Sequence, residues 1–172
     1  VRFDRDPIRQ GTCRQDGYNL SILLRKIAGM SNSEPVGVVI PAYQVEDQLS
    51  ETVARIPEFV DHIVIVDDAS TDGTAAAAAQ IAATSDRICV LRHENNRGVG
   101  GAVKTGFQYL LDQGCQVLVK LDGDGQMEPT EIGRLVNPLI AGWADYAKGN
   151  RLSSRVDVGN MPVVRLAGSI AL

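Results

Sequence analysis

Short apolar runs alternate with longer mixed segments along most of the chain. "VGVVI" (36–40), "HIVIVD" (62–67), "ICVLR" (88–92) and "CQVLVKLD" (115–122) are rich in β-branched residues and apolar throughout, which predicts four strands. Between them, residues 46–58, 71–83, 99–112 and 128–141 carry helical spacing or composition. The first of these helices is expected to end near Pro57. The second holds "TAAAAAQIAA", the best helix formers, with Asp72 placed to cap it. Gly114 stops the third, and Pro129 and Glu131 lie in the first turn of the fourth. "ADYAKGN" (144–150) is a candidate fifth strand.

Strands that are apolar throughout and alternate with helices predict an α/β fold: a mostly parallel, Rossmann-like sheet with helices on both faces. In such sheets ligands bind beyond the carboxyl ends of the strands. The polar clusters fall at those ends: "PAYQ", "DDASTD", "HENNRG" and "DGDGQ". Ahead of this region, residues 1–16 are charged and unpatterned, and "SNSEP" (31–35) reads as a linker. Leu20, Leu23, Leu24 and Ile27 predict a short amphipathic helix that packs on the domain, on a partner chain or on a membrane. The expected organisation is an N-terminal extension over 1–34, an α/β domain over 35–151, and a following segment over 152–172.

Composition narrows the class. A chain of 172 residues can bury a core, and 44% hydrophobic with 22% charged content is globular. A net charge of −4 argues against a nucleic-acid partner. Three widely spaced cysteines predict neither a disulfide framework nor a zinc site, and fit a reducing compartment. The first residues contain no secretory signal, and no run of 18 apolar residues occurs.

The clusters suggest chemistry. Asp122 and Asp124 stand two places apart, so on extended chain both face one way. Two carboxylates with no lysine beside them repel unless a cation joins them. Mg2+ or Mn2+ suits such oxygens, and Gln126 adds a neutral one. Taken alone this stretch reads first as a polar turn; at a strand end facing other acidic clusters it reads as a cation site. Met127 at the sixth position excludes a calcium EF-hand loop. Asp67 and Asp68 end a buried strand, where an acid must be paired or reach solvent, and where it can accept bonds from a base or ribose. "NNRGVGGAVKTG" fails the P-loop pattern and, with Val103 in the third glycine's place, the dinucleotide fingerprint. A glycine-rich helix start remains, with Arg97 and Lys104, serving either close packing or ligand contact. His62 and His93 look isolated, and no nucleophile motif is present.

Together "VVIPAY", "VDDASTDGT", "NRGVGGAVKTGF", "LDGDGQ" and "KGNR" resemble, in order and over roughly 36–151, the family 2 glycosyltransferases of the GT-A fold. "DGDGQ" followed by Glu128-Pro129, then "GNR" and Arg165, is most similar to the polyprenyl- and dolichyl-phosphate sugar transferases. The resemblance implies that Pro41, Ala42 and Tyr43 line a base pocket and that Asp68, with Asp67 beside it, meets base or ribose. Arg97 and Lys104 join the nucleotide-sugar site. It implies that Asp122, Asp124 and Gln126 hold Mg2+ or Mn2+ against the diphosphate, and that Arg151 and Arg165 meet the acceptor phosphate. The resemblance makes 35–151 a nucleotide-sugar-binding catalytic domain and 152–172 the start of an acceptor or membrane-proximal segment. It implies metal-dependent, inverting transfer from a GDP- or UDP-sugar to a polyprenyl or dolichyl phosphate at the cytoplasmic face of a membrane. A phosphate monoester, with its second pKa near ~6, attacks as a dianion and needs no protein base. Gln44 and Val45 replace the family's usual Asn-Glu, leaving Glu46 one step away, and Asn150 replaces a common Ser. The alternatives are a family member with a polysaccharide or protein acceptor, a non-catalytic sugar-nucleotide module, and a phosphoacceptor signalling domain.

Overall fold

The structure, a computed structural model, describes residues 9–10 and 34–149. In chain order it contains β1 (Arg9–Gln10), β2 (Val36–Ala42), α1 (Glu46–Ala54), β3 (His62–Asp67) and α2 (Thr74–Ala82). There follow β4 (Ile88–Arg92), α3 (Gly98–Asp112), β5 (Val117–Lys120), a 3-10 turn (Pro129–Glu131) and α4 (Ile132–Ile140). The sheet order is β1-β4-β3-β2-β5, with β2 to β5 mutually parallel and β1 antiparallel on β4. The four strands and four helices predicted between residues 36 and 141 are all present. Two-residue β1 falls in the stretch read as unpatterned.

Alternation along the strands divides the core in two. Val38, Ile40, Ile63 and Ile65 pack under α1, α2 and α4 through Leu49, Val53, Ala78, Ile132 and Val136. Val39, Val64, Val66 and Leu91 pack on the other face under α3, through Ala102 and Leu110. Helix α3 lies close to the sheet because residue 106 is glycine: a Cβ there would stand 2.2 Å from Val39 Cγ2.

Several boundaries differ from the sequence reading for local reasons. Helix α1 stops at Ala54, three residues ahead of Pro57. Strand β5 starts at Val117 rather than 115, because the Cys115 N–H closes α3 on Leu110 O while Gly114, at φ 81°, donates to Leu111 O. The fourth helix opens with the 3-10 turn before its α-helical part. Residues 144–149 form no strand: the Trp143 and Ala144 N–H groups turn back to Pro138 O, and Trp143 and Tyr146 are exposed. The helix expected near 18–30 lies outside the described residues. Cys89 is disulfide-bonded, against the expectation of unpaired thiols, and Cys115 is free and buried.

The strand order sets the site. The chain passes from β2 to β3 on one side, and β5 returns to pair with β2 on the other, so the order switches between β2 and β5. Pairing of β2 with β5 ends at Val39–Lys120, while pairing with β3 continues to Ala42–Asp67. Val39 O accepts the Leu121 N–H, so the donor that Pro41 lacks would face the same side, where the strands have parted. That parting opens a crevice beyond the sheet, and it is why a proline is tolerated inside β2.

Candidate functional site

A cleft of about 170 Å³ lies at the parting, lined by Pro41, Ala42, Tyr43, Val45, Asp68, Val99, Ala102, Asp122, Gly123 and Asp124. Three of the four clusters thus meet in space, joined by the first turns of α3. Small-molecule sites usually enclose about 300–1,000 Å³, so the cleft by itself is smaller than a complete site of that kind. A second cavity of about 240 Å³, near Glu34, Val36, Phe59 and Asp61, lies at the amino-terminal edge of the sheet, away from the carboxylates.

The two acids ending β3 separate by strand alternation. Asp67 is fully buried: its Oδ1 accepts the Ser70 N–H at 3.0 Å, and its Oδ2 lies 3.1 Å from Arg92 Nε. The Arg92 contact is an ion pair without hydrogen-bond alignment. Asp67 does not reach the cleft. Asp68 points to the α3 side and lines it, its Oδ1 accepting from Arg97 N at 2.9 Å and meeting His93 Nδ1 at 2.6 Å. His93 Nε2 then meets Thr105 Oγ1 at 2.9 Å. His93 is therefore not isolated, as the sequence suggested. It is buried and ties Asp68 to α3. Against a carboxylate its Nδ1 carries the proton.

The loops after β2 and β3 are bound to each other. Ser70 Oγ accepts from Gln44 N, Thr74 Oγ1 from Val45 N, and Thr71 Oγ1 from Gln44 Nε2, at 2.9–3.2 Å. Glu46 accepts the Gly73 N–H at 2.8 Å, so this acid serves the loop and not the cleft. Asp72 does not take the N-cap of α2, which is Gly73 without a side-chain cap bond. One place ahead of it, Asp72 accepts from Thr74 N at 3.1 Å, and hydrogen bonding to the Thr74 side chain first, with its backbone adding, holds the Asp72 carboxyl below the ordinary range. Gln44 (φ 54°) and Ala69 (φ 60°) occupy the left-handed region without being glycine. Such a residue costs on the order of 1–2 kcal/mol, here offset by the bonds between the loops.

In the "DGDGQ" loop, Asp122 and Asp124 both line the cleft, as their spacing predicts. Gly123 fits against Ile40, Pro41 O and Val45, and Gly125 takes φ 71°. Asp124 Oδ1 accepts the Gln126 N–H at 3.0 Å, and the Gln126 side chain is exposed outside the lining. The premise that no lysine accompanies the pair is corrected: Lys120 Nζ lies 2.7 Å from Asp122 Oδ2 and 2.5 Å from Oδ1. Alternation had placed Lys120 and Asp122 on one face, so the signal was present in "KLD". The loop is fastened to α1 by an ion pair of Glu128 with Arg55. That pair and the Thr130 bonds hold the Glu128 carboxyl below its ordinary range, Thr130 contributing most.

Among the described residues no third His, Cys, Asp or Glu joins Asp122 and Asp124. Two carboxylate side chains on one cleft still match Mg2+ or Mn2+, which commonly take one or two carboxylates together with substrate phosphates. Arg97 contributes its backbone N–H to Asp68; the Arg97 and Lys104 side chains are exposed and outside the lining. Arg151 and Arg165 lie outside the described residues.

A mostly parallel sheet with a crevice at its switch point, three carboxylates on it and a glycine-rich helix start beside them define a Rossmann-like α/β domain. The chain belongs to glycosyl transferase family 2, whose sequence profile matches residues 37–169. It is 39% identical over 132 residues to the polyprenol monophosphomannose synthase of Mycolicibacterium smegmatis, covering 75% of this chain and 49% of that one. It is 30% identical to the UDP-N-acetylglucosamine–dolichyl-phosphate N-acetylglucosaminyltransferase of Methanococcus voltae, over 78% of this chain and 59% of that one. Among solved structures, glucosyl-3-phosphoglycerate synthase of Mycobacterium tuberculosis bound to UDP shares the fold. The TM-score is 0.51 at 23% identity, covering 75% of this chain and 47% of that one. The chain spans about half the length of the curated relatives it matches.

Proposed function

We propose that this chain is the donor-binding part of an inverting glycosyltransferase that moves a sugar from a GDP- or UDP-sugar to a polyprenyl or dolichyl phosphate. The observation that carries the reading is the meeting of Asp68, Asp122 and Asp124 on one cleft at the switch point. The names of the relatives above supply the acceptor class. Family membership sets aside the signalling-domain alternative.

Pro41, Ala42 and Tyr43 would take the base, and Asp68, held by His93 and the Arg97 N–H, would accept from base or ribose. Asp67 would act through the loop it supports. Asp122 and Asp124, with Gln126 ending the loop, would hold the divalent cation. Bound Mg2+ or Mn2+ would supply positive charge to a departing nucleoside diphosphate. Arg97 and Lys104 would add positive field from α3, and Arg151 and Arg165 would meet the acceptor phosphate. That acceptor is its own nucleophile and needs no protein base. The site of action would be the cytoplasmic face of a membrane. No helix among the described residues is long and apolar enough to cross one.

Calorimetry with GDP and UDP, with and without Mn2+, tests the reading. Wild type is expected to bind one nucleotide in a Mn2+-dependent way, and Asp124→Ala to weaken it at least about tenfold, the loss of one charge-assisted contact. No nucleotide binding under any condition overturns the reading. Transfer to polyprenyl phosphate in vesicles, with the full-length chain, tests the acceptor.

A further inference from the structure

Among the described residues the cleft lining includes Asp68, Asp122 and Asp124 and no lysine or arginine, so that lining by itself disfavours a nucleoside diphosphate. Lys120 is a cation in direct contact with one member of this acidic trio, Asp122. It ends β5, and its ammonium reaches both oxygens of Asp122 while its side chain is 35% exposed. A pair this open to water contributes little to stability. Its consequence is at Asp122: a carboxylate with both oxygens engaged by an ammonium is a poorer ligand for a second cation.

We propose that Lys120 couples cation binding to donor binding; the inference rests on the reading that Asp122 and Asp124 hold the cation. Without donor, Lys120 occupies Asp122 and holds the affinity for Mg2+ or Mn2+ down. An arriving diphosphate offers the ammonium new anionic oxygens, for which a flexible, strongly hydrated lysine suits. Released from Lys120, Asp122 turns its oxygens to the cation. Donor and cation then bind with positive cooperativity, and by linkage each raises the other's affinity by the same factor. Lys120 acts as a positioning residue, through Asp122.

The test measures Mn2+ affinity by the electron paramagnetic resonance of the free ion, with and without saturating GDP or UDP. Wild type, Lys120→Met, Lys120→Arg and Asp122→Asn are compared, with thermal melts to confirm folding. Lys120→Met is expected to bind Mn2+ alone about three- to tenfold tighter than wild type, and to lose a similar factor from the enhancement by nucleotide. Lys120→Arg, which keeps the charge, is expected to stay near wild type. An unchanged or weaker Mn2+ affinity of nucleotide-free Lys120→Met overturns the coupling, while the metal reading stands if Asp122→Asn abolishes binding. Absence of Mn2+ binding to wild type, with and without nucleotide, overturns both. A merely structural lysine would shift the melting temperature and leave the ratio of the two Mn2+ affinities alone.

Discussion

Asp67 and Asp68 are sequence neighbours with different work. Asp67 continues the face of Ile63 and Ile65, and Asp68 that of Val64 and Val66, the side of α3 and the cleft. Asp67→Asn is expected to destabilise the fold by about 1–3 kcal/mol in urea unfolding, because a buried acceptor pairing Arg92 is lost. Asp68→Asn is expected to spend its effect on nucleotide affinity. A larger loss of affinity in Asp67→Asn than in Asp68→Asn, at matched folded fraction, would reverse these roles. His93→Ala is expected to cost about 1–3 kcal/mol, by leaving Asp68 and Thr105 without their shared partner. Alternation along "IVIVDD" carried the distinction between the two acids. The partnership of His93 was not legible, since it joins residues 25 and 12 positions apart and depends on where α3 crosses the sheet.

At the scale of elements, the alternation of strand and helix was readable because β2 to β5 are covered on both faces and α1 to α4 on one. The ends were less so, being decided by bonds that a linear pattern does not show, such as the Cys115 N–H that closes α3 and delays β5. Gly106 is the point where α3 meets the sheet. Alanine would favour the helix by about 0.5–1 kcal/mol. The approach of 2.2 Å to Val39 Cγ2 outweighs that, since overpacking a core costs about 1–3 kcal/mol. Gly106→Ala is therefore expected to lower the melting temperature, and an unchanged or raised value would show that α3 can lift without penalty. Cys115, beneath the end of α3, has its thiol pushed up to about 12 by burial, with Asp61 adding to the rise. Slow alkylation in the native protein and fast alkylation in denaturant are expected.

Over the whole molecule, convergence of the polar clusters on one edge followed from parallel strands alone. Which clusters become neighbours did not, because that depends on β5 joining β2 and not β4. The opposite edge has its own titration. His62 opens β3 with Nε2 buried and without a hydrogen-bond partner, and burial lowers its pKa below 6.5, with Asp61 opposing. A depressed folded pKa means the unfolded chain binds the proton more readily. Stability is thus full above pH 6.5 and is lost as pH falls through the lower folded value. His62→Gln is expected to flatten urea midpoints across that window, and equal slopes in both proteins would assign the dependence elsewhere.

The interlocked loops also decide how the crevice breathes. The amides of Gln44, Val45 and Gly73 are each held by a side chain at least 26 positions away, so they are freed only when both loops part together. The Gln126 amide is held by Asp124, two positions off. In hydrogen–deuterium exchange the first three should open as one slow unit, while 124–126 trade their hydrogens quickly and on their own. One wall of the crevice is then a fixed jaw, and adjustment to an incoming ligand falls to the other.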